Sequence, residues 1–142
     1  MGDRCYVNLC CLKRDKDRLL KVLFPDYNKA TDIEEELLNG SIALGLSECN
    51  YALYDEMHEA AKQGINFYGE HTSGGEYPAG CFVSYRKSLH FVDANSCNNF
   101  PVVTVREDGK INKKELTEVR LYWKKLRAIQ AWMKTNKKDL GE

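Results

Sequence analysis

The chain has 142 residues, of which 43% are hydrophobic and 30% are charged. This length and composition predict one globular domain and argue against a disordered chain. The longest apolar run lies around Cys10–Leu12 and is far shorter than the roughly 20 residues that a membrane-spanning helix needs. Met1 is followed directly by a strand-like segment without an apolar signal region, so we expect a cytoplasmic protein without a membrane role.

Charges of opposite sign are concentrated in different parts of the chain. The formal net charge is zero, which weakens a general attraction to nucleic acid. Nine acidic residues and one basic residue lie between positions 26 and 59, whereas nine basic and two acidic residues lie between positions 113 and 138. Such a separation can steer a partner, or the two segments can pair within the fold or in a homo-oligomer.

Six cysteines, at positions 5, 10, 11, 49, 81 and 97, are expected to be reduced and structural. Without an export signal, a reducing compartment is the better interpretation. Cys10 and Cys11 are adjacent, so in a strand they point to opposite faces and cannot hold one metal ion as a C-x-x-C pair does. We therefore predict no disulfide, no metal site and no cofactor.

The first elements are predicted as a strand and two short helices. Cys5–Leu12 is apolar at nearly every position, which is typical of a strand covered on both faces. Asp15–Phe24 places its leucines on one side and is predicted as a helix that Pro25 ends. The capping-box pattern Thr31–Glu34 predicts a second helix that ends at Gly40.

The middle of the chain predicts a strand, a helix and four further strands. Ile42–Cys49 is predicted as a strand, followed by a helix from Tyr51 to Gln63 that Asn50 caps and Gly64 ends. The four later strands have the residue content of half-buried segments: Ile65–His71, Cys81–Arg86, Leu89–Ala94 and Pro101–Arg106. A tight hairpin is predicted at Lys87–Ser88, between the second and third of these strands, and a turn at Asp108–Gly109 follows the last one.

A long final helix is predicted from Asn112 to about Asn136. Its apolar residues step by three or four and predict one buried face: Leu116, Val119, Trp123, Leu126, Ile129 and Met133. Its basic residues fall on the opposite side, as a solvated face or as a surface for an anionic partner. The order of elements predicts a single α+β domain, with a mostly antiparallel sheet, helices on one face and a long C-terminal helix.

The stretch between Tyr68 and Gly80 contains more special residues than a simple connection requires. The candidate residues for binding a ligand or partner surround the pair Gly74–Gly75: Tyr68, Glu70, His71, Glu76 and Tyr77. Glu70 and His71 are adjacent and face opposite sides of a strand, whereas Glu76 can approach either across the glycine turn. The alternative is a structural loop whose glycines adopt positive φ.

Several catalytic and metal-binding motifs are missing from the sequence. Ser73 lies outside a G-x-S-x-G nucleophile elbow, and Gly74–Gly75 lacks the spacing of a P-loop. Asp55, His58 and Glu59 can share one surface of a helix, but without an H-E-x-x-H pattern a solvated face is the better interpretation.

Two blocks resemble a known group of proteins. They are the opening Met1-Gly-Asp-Arg-Cys-Tyr6 and the segment Asn50-Tyr-Ala with Phe67–Tyr77. These blocks are similar to small bacterial and phage proteins that open M-G-D-R-C and carry a G-x-H-x-x-G-G-E-Y loop. The resemblance runs from Met1 into the loop and implies a bacterial or phage setting. It implies no activity and no catalytic residues.

These patterns favour a small, non-enzymatic cytoplasmic binding protein, and the resemblance implies a phage or prophage origin. We expect it to act on a host defence protein or a small ligand through residues 68–77. Two alternatives remain open. One is a small enzyme that uses His71 with Glu70 or Glu76 as an acid–base pair. The other is a binder of anions or nucleic acid that uses the basic C-terminal helix.

Overall fold

The computed structural model describes residues 4–24, 33–36 and 40–136, which form a single α+β domain as the sequence predicts. Within these residues, the strands are β1 (Arg4–Leu12), β2 (Ile33–Glu36), β3 (Ser41–Asn50), β4 (Phe67–His71), β5 (Gly80–Tyr85) and β6 (Ser88–Asp93). The helices are α1 (Lys16–Leu23), α2 (Tyr54–Lys62) and α3 (Lys113–Asn136). All neighbouring strands pair antiparallel, in the order β2-β3-β1-β4-β5-β6.

The two short helices α1 and α2 pack together against one face of this sheet. Alternate residues of β1, including Val7 and Leu9, contribute to this core with Leu19 of α1 and Met57 of α2, and all four side chains are fully buried. The alternation arises because successive side chains of a strand point to opposite faces. This face holds the larger of the two buried clusters.

The long helix α3 lies across the opposite face, over β4, β5 and β6. Phe82 of β5 points into the first core, whereas its neighbours Cys81 and Val83 contact the α3 side. Tyr122 and Ile129 are among the buried residues that α3 contributes. None of the helices that the structure describes is long and apolar enough to cross a membrane.

The predicted start of the final helix is confirmed in its details. The backbone N–H of Glu115 donates to Oδ1 of Asn112 at 3.0 Å, and Nδ2 of Asn112 donates to Oε2 of Glu115 at 3.0 Å. This reciprocal pair satisfies a backbone donor of the first turn. The preceding turn at Asp108–Gly109 is also confirmed, since Gly109 has φ of 84°.

The predicted helix from Thr31 to Gly40 is wrong where the structure describes it. Residues Ile33–Glu36 form β2, which pairs with β3 at the edge of the sheet; positions 31, 32 and 37–39 lie outside the described residues. A capping box contributes only about 1 kcal/mol. Pairing with the edge of β3, whose backbone donors and acceptors would otherwise be unpaired, outweighs this contribution. Gly40 is left-handed as predicted, with φ of 80°, but it precedes β3.

The predicted strand Pro101–Arg106 is also wrong. Only isolated bridges occur there, between Ala94 and Pro101 and between Val105 and Ile111. Proline has no backbone N–H, so Pro101 cannot continue a ladder along β6. The β5–β6 hairpin turns at Arg86 and Lys87, one residue earlier than predicted, with positive φ at both.

The buried face of α3 differs from the predicted one at a single position. Trp123, expected in the core, is 37% exposed, whereas Tyr122 is 5% exposed. Both positions lie three or four residues from Val119 and Leu126, so the apolar spacing alone fits either one. Tyr122 packs in the buried cluster on the α3 side together with Cys81, and burial raises the pKa of its phenol.

Candidate functional site

The five predicted binding residues are divided between the two faces of the sheet. Tyr68 and Glu70 of β4 lie on the α3 side, whereas His71 and Tyr77 lie on the side of α2. Glu76 is exposed in the β4–β5 connection and lines neither of these two cavities. The five residues therefore do not form one site.

The α3-side cavity has a volume of about 390 Å³. Burial raises the pKa of the Tyr68 phenol, Cys10 of β1 raises it further, and Gln130 of α3 lowers it. Burial also raises the pKa of the Glu70 carboxyl. Tyr68 packs against the buried cluster on the α3 side, which explains its position without a ligand.

The second cavity is an open groove of about 570 Å³ between α2, the β4–β5 connection and β6. We call it the aromatic groove. Its lining residues are Tyr51, Ala52, Tyr54, Asp55, Glu56, His71, Tyr77, Pro78, Phe91 and Asp93. Five of these are aromatic or imidazole rings, and the charged ones are all acidic.

His71 is the most buried polar residue of the groove, with 7% of its surface exposed. Its Nδ1 lies 2.8 Å from the carbonyl oxygen of Thr72; since a carbonyl only accepts, Nδ1 carries the proton and Nε2 is an acceptor. Burial lowers the pKa of the imidazole, and this effect exceeds the opposing effects of the Thr72 carbonyl and the Asp93 charge. His71 is therefore neutral at neutral pH.

Sheet register explains why His71 is near Asp93. His71 of β4 pairs with Gly80 of β5, and Gly80 pairs with Asp93 of β6, so the three residues form one cross-strand row. Residues in such a row point to the same face. The carboxylate that acts on His71 is thus Asp93. Of the two carboxylates named in the enzyme alternative, Glu70 lies on the face of the sheet opposite to His71.

Aromatic rings form the walls of the groove. The Tyr51 ring centroid lies 6.3 Å from that of Tyr77, and the Tyr54 centroid lies 5.0 Å from that of Phe91. The His71 ring packs edge-on against Tyr77 at 5.8 Å. Tyr51 and Tyr54 are each 49% exposed, so these walls present aromatic surface to solvent.

A turn of unusual conformation forms one rim of the groove. The sequence predicts a helix from Tyr51 to Gln63, but α2 begins at Tyr54, and the preceding residues Tyr51, Ala52 and Leu53 have φ of 49°, 54° and 58°. The left-handed conformation costs roughly 1–2 kcal/mol for each such residue. Burial of Ala52 and Leu53, each 4% exposed, offsets part of this cost.

This left-handed turn was missed because the sequence signal is weak. Non-glycine residues rarely adopt positive φ, and Tyr51, Ala52 and Leu53 have no left-handed preference. Asn50, predicted as the helix cap, is instead the last residue of β3. The turn places Tyr51 beside Tyr77, and strained backbone of this kind occurs often at functional sites.

The three carboxylates of the groove come from two elements. Asp55 and Glu56 lie in the first turn of α2, and Asp93 is the last residue of β6. Asp55 is exposed, as predicted for a solvated helix face, and it also lines the groove. Within the described part of the chain, no salt bridge involves any of the three.

The glycine pair plays a smaller part than the sequence suggests. Among the described glycines, positive φ occurs at positions 40, 64 and 109 only. Gly74 and Gly75 therefore have conformations open to other residues, contrary to the expected glycine turn. The backbone N–H of Gly74 donates to the carbonyl of Tyr77 at 3.0 Å, which closes the loop beside the groove.

Comparisons with known proteins add no assignment to this geometry. The chain matches no protein-family model, no curated protein and no solved structure. Its function is therefore inferred from the groove itself, with its aromatic walls, its three carboxylates and its neutral imidazole.

Proposed function

We propose that the protein is a small, non-enzymatic binding protein and that the aromatic groove is its binding site. The observation that carries this proposal is a concave surface of about 570 Å³ with aromatic walls, three carboxylates and an imidazole. Ligand sites in proteins are typically of this size and composition. The proposed site keeps His71 and Tyr77 from the loop and adds residues of α2, β6 and the left-handed turn.

The exposed rings of the groove support binding over a purely structural role. A tyrosine that only fills a core is largely buried, whereas Tyr51 and Tyr54 each leave about half of their surface in contact with solvent. Tyrosine is enriched in binding sites because its large rigid ring supplies contact area at a low entropic cost. The strained turn that connects β3 to α2 also presents Tyr51 to the groove, and strained backbone occurs often at functional sites.

The proposed biological setting follows the resemblance of the chain to small bacterial and phage proteins. It is a cytoplasm in which a phage or prophage protein acts on a host defence protein or on a small ligand. The shared G-x-H-x-x-G-G-E-Y loop contains His71 and Tyr77, the two loop residues that line the groove. This overlap connects the resemblance to the proposed site.

A fragment screen by NMR tests the proposal while the ligand is still unidentified. The ¹⁵N-labelled protein is screened against a mixed library of amines, acids, sugars and heterocycles. We expect bound fragments to shift the amide signals of residues 51–56, His71, Tyr77 and Asp93. Tyr77→Ala should abolish these shifts, and the control Phe100→Ala, which removes a ring that is 64% exposed outside the groove, should preserve them.

Two results would overturn the proposal. One is a set of bound fragments that shift only the α3-side cavity around Tyr68 and Glu70. The other is a screen in which no fragment of any class shifts the signals of the groove, although the spectrum of Tyr77→Ala shows that the protein remains folded. In either case the aromatic groove is a surface feature and the binding site lies elsewhere.

A further inference from the structure

The charged groups that line the aromatic groove all have the same sign. Asp55, Glu56 and Asp93 are acidic, and no lysine or arginine contributes to the lining. In the part of the chain that the structure describes, none of these carboxylates has a basic partner within salt-bridge distance. A concave surface lined by one sign of charge concentrates ligands of the opposite sign.

His71 adds a hydrogen-bond acceptor to this acidic lining. The residue is 7% exposed, and its Nδ1–H is already donated to the Thr72 carbonyl. Among the described residues, Nε2 has no hydrogen-bond partner. Every fully enclosed polar side-chain atom of these residues has a partner, so Nε2 is not fully enclosed. A histidine in this tautomer is satisfied by a ligand that donates an N–H group.

The walls of the groove favour a cation as well. Tyr51, Tyr54, Tyr77 and Phe91 line it with aromatic rings, and the negative face of such a ring attracts a cation placed over it. A guanidinium group fits this combination better than an ammonium group. It is planar, so it stacks on rings, and it binds a carboxylate through two parallel N–H groups.

We propose that the aromatic groove receives an arginine side chain of a partner protein, with the guanidinium group between the tyrosine walls and the carboxylates of Asp93 and α2. This inference rests on the proposed binding function. The half-exposed rims at Tyr51 and Tyr54 provide further contact area around the arginine, as expected for a protein partner.

Matched peptides provide the test, measured by NMR titration. The probes are the capped tripeptides Gly-Arg-Gly, Gly-citrulline-Gly and Gly-Lys-Gly, together with butylguanidinium. Citrulline has the shape of arginine without its charge. We expect the arginine peptide to bind about tenfold or more tightly than the citrulline peptide, because hydrogen bonds to charged groups are the stronger ones. We expect the lysine peptide to lie between the two.

Two variants show whether Asp93 contributes. Asp93→Asn should weaken binding of the arginine peptide about tenfold. The control Glu107→Gln removes the same charge at an exposed position outside the groove, and it should leave the affinity unchanged. Equal weakening by both variants would mean that the whole-protein field, rather than the groove, attracts the peptide, and this would contradict the proposal.

The outcomes distinguish this inference from the proposed function. If the citrulline peptide binds as tightly as the arginine peptide, the groove does not recognise a cation and this inference is wrong. The groove can still bind ligands of other classes in the fragment screen. If butylguanidinium binds as tightly as the arginine peptide, the ligand is a free guanidino compound and the protein partner is wrong. If neither the peptides nor the fragments bind, the binding function fails as well.

Discussion

The imidazole of His71 lies directly over Gly80, so closely that a methyl group on Gly80 would come within 2.5 Å of Nε2. Gly80 is the middle residue of the cross-strand row that joins His71 to Asp93. A side chain at position 80 would occupy the space that the ring now fills. The position of His71 in the groove therefore depends on a glycine in the neighbouring strand.

Gly80→Ala should destabilise the protein through His71. The added methyl group would also come within 3.1 Å of the Val92 carbonyl, and insertion of a methyl group into a packed site costs about 1–3 kcal/mol. In urea denaturation, Gly80→Ala should lower the free energy of unfolding less in the His71→Ala background than in the wild type. Equal losses in the two backgrounds would mean that the ring does not fill this space.

Stability should fall when His71 becomes protonated. The folded pKa is lowered by burial, so the folded protein binds fewer protons than the unfolded chain, whose histidine has a pKa of about 6.5. The contribution of neutral His71 to the free energy of unfolding is complete above the unfolded pKa. It is lost as the pH falls below the unfolded pKa toward the lower folded pKa. Asp93, Asp55 and Glu56 line the groove with the ring; the Thr72 carbonyl and, among these three carboxylates, Asp93 oppose the lowering of the pKa.

The measurement compares the free energy of unfolding of the wild type and His71→Gln at pH 7.5 and pH 5.0. We expect the wild type to lose more stability on acidification than the variant. His90, whose pKa is also lowered, by burial and by Lys125, titrates in both proteins and cancels in the comparison. An identical loss in both would show that His71 does not titrate differently on folding.

Tyr122, rather than Trp123, should anchor α3. Tyr122→Ala removes a ring that is 5% exposed, so we expect a loss of about 3 kcal/mol or more. Trp123→Ala removes a ring that is 37% exposed and should cost about 1 kcal/mol or less. Thermal or urea denaturation of the two variants gives the order, and the reverse order would contradict the observed face of the helix.

Binding of nucleic acid by the basic side of α3 should be weak and sensitive to salt. Lys125 donates to the Ser88 hydroxyl and is a poor probe, so the informative change is Lys124→Ala with Arg127→Ala. Affinity that arises from phosphate contacts falls steeply as the salt concentration rises. Fluorescence anisotropy with a labelled oligonucleotide should show no binding at physiological salt. Tight binding there, lost in the double variant, would favour the nucleic-acid alternative.

The parts of the fold that could be predicted are those set by local pattern. Cys5–Leu12 is apolar at nearly every position, the final helix is long and strongly periodic, and Asn112 and Gly109 have strong local preferences. The segment Ile33–Glu36 was missed because a sheet edge, which no local pattern reveals, outweighs its capping box. Trp123 was misplaced because the spacing of α3 fits two adjacent positions.

The candidate site could be predicted only in part, because its geometry depends on contacts distant in sequence. His71 and Tyr77 were found from the unusual loop, but Asp93 joins them through the register of three strands. Because successive side chains of a strand point to opposite faces, the sequence alone already places Glu70 and His71 on opposite faces of β4. Assigning Tyr68 and Glu70 to the other face required knowing where α3 packs, and the left-handed turn at Tyr51 has no sequence signal.

The most direct test of the central claim, that the aromatic groove is the binding site, compares two double variants of the predicted loop residues. Tyr68→Phe with Glu70→Gln changes the α3 side of the sheet, and His71→Gln with Tyr77→Ala changes the groove. Each is titrated by NMR with a fragment or peptide that the wild type binds. We predict that only the second variant loses binding while its fold remains intact. Loss of binding in the first variant, with binding preserved in the second, would contradict the account.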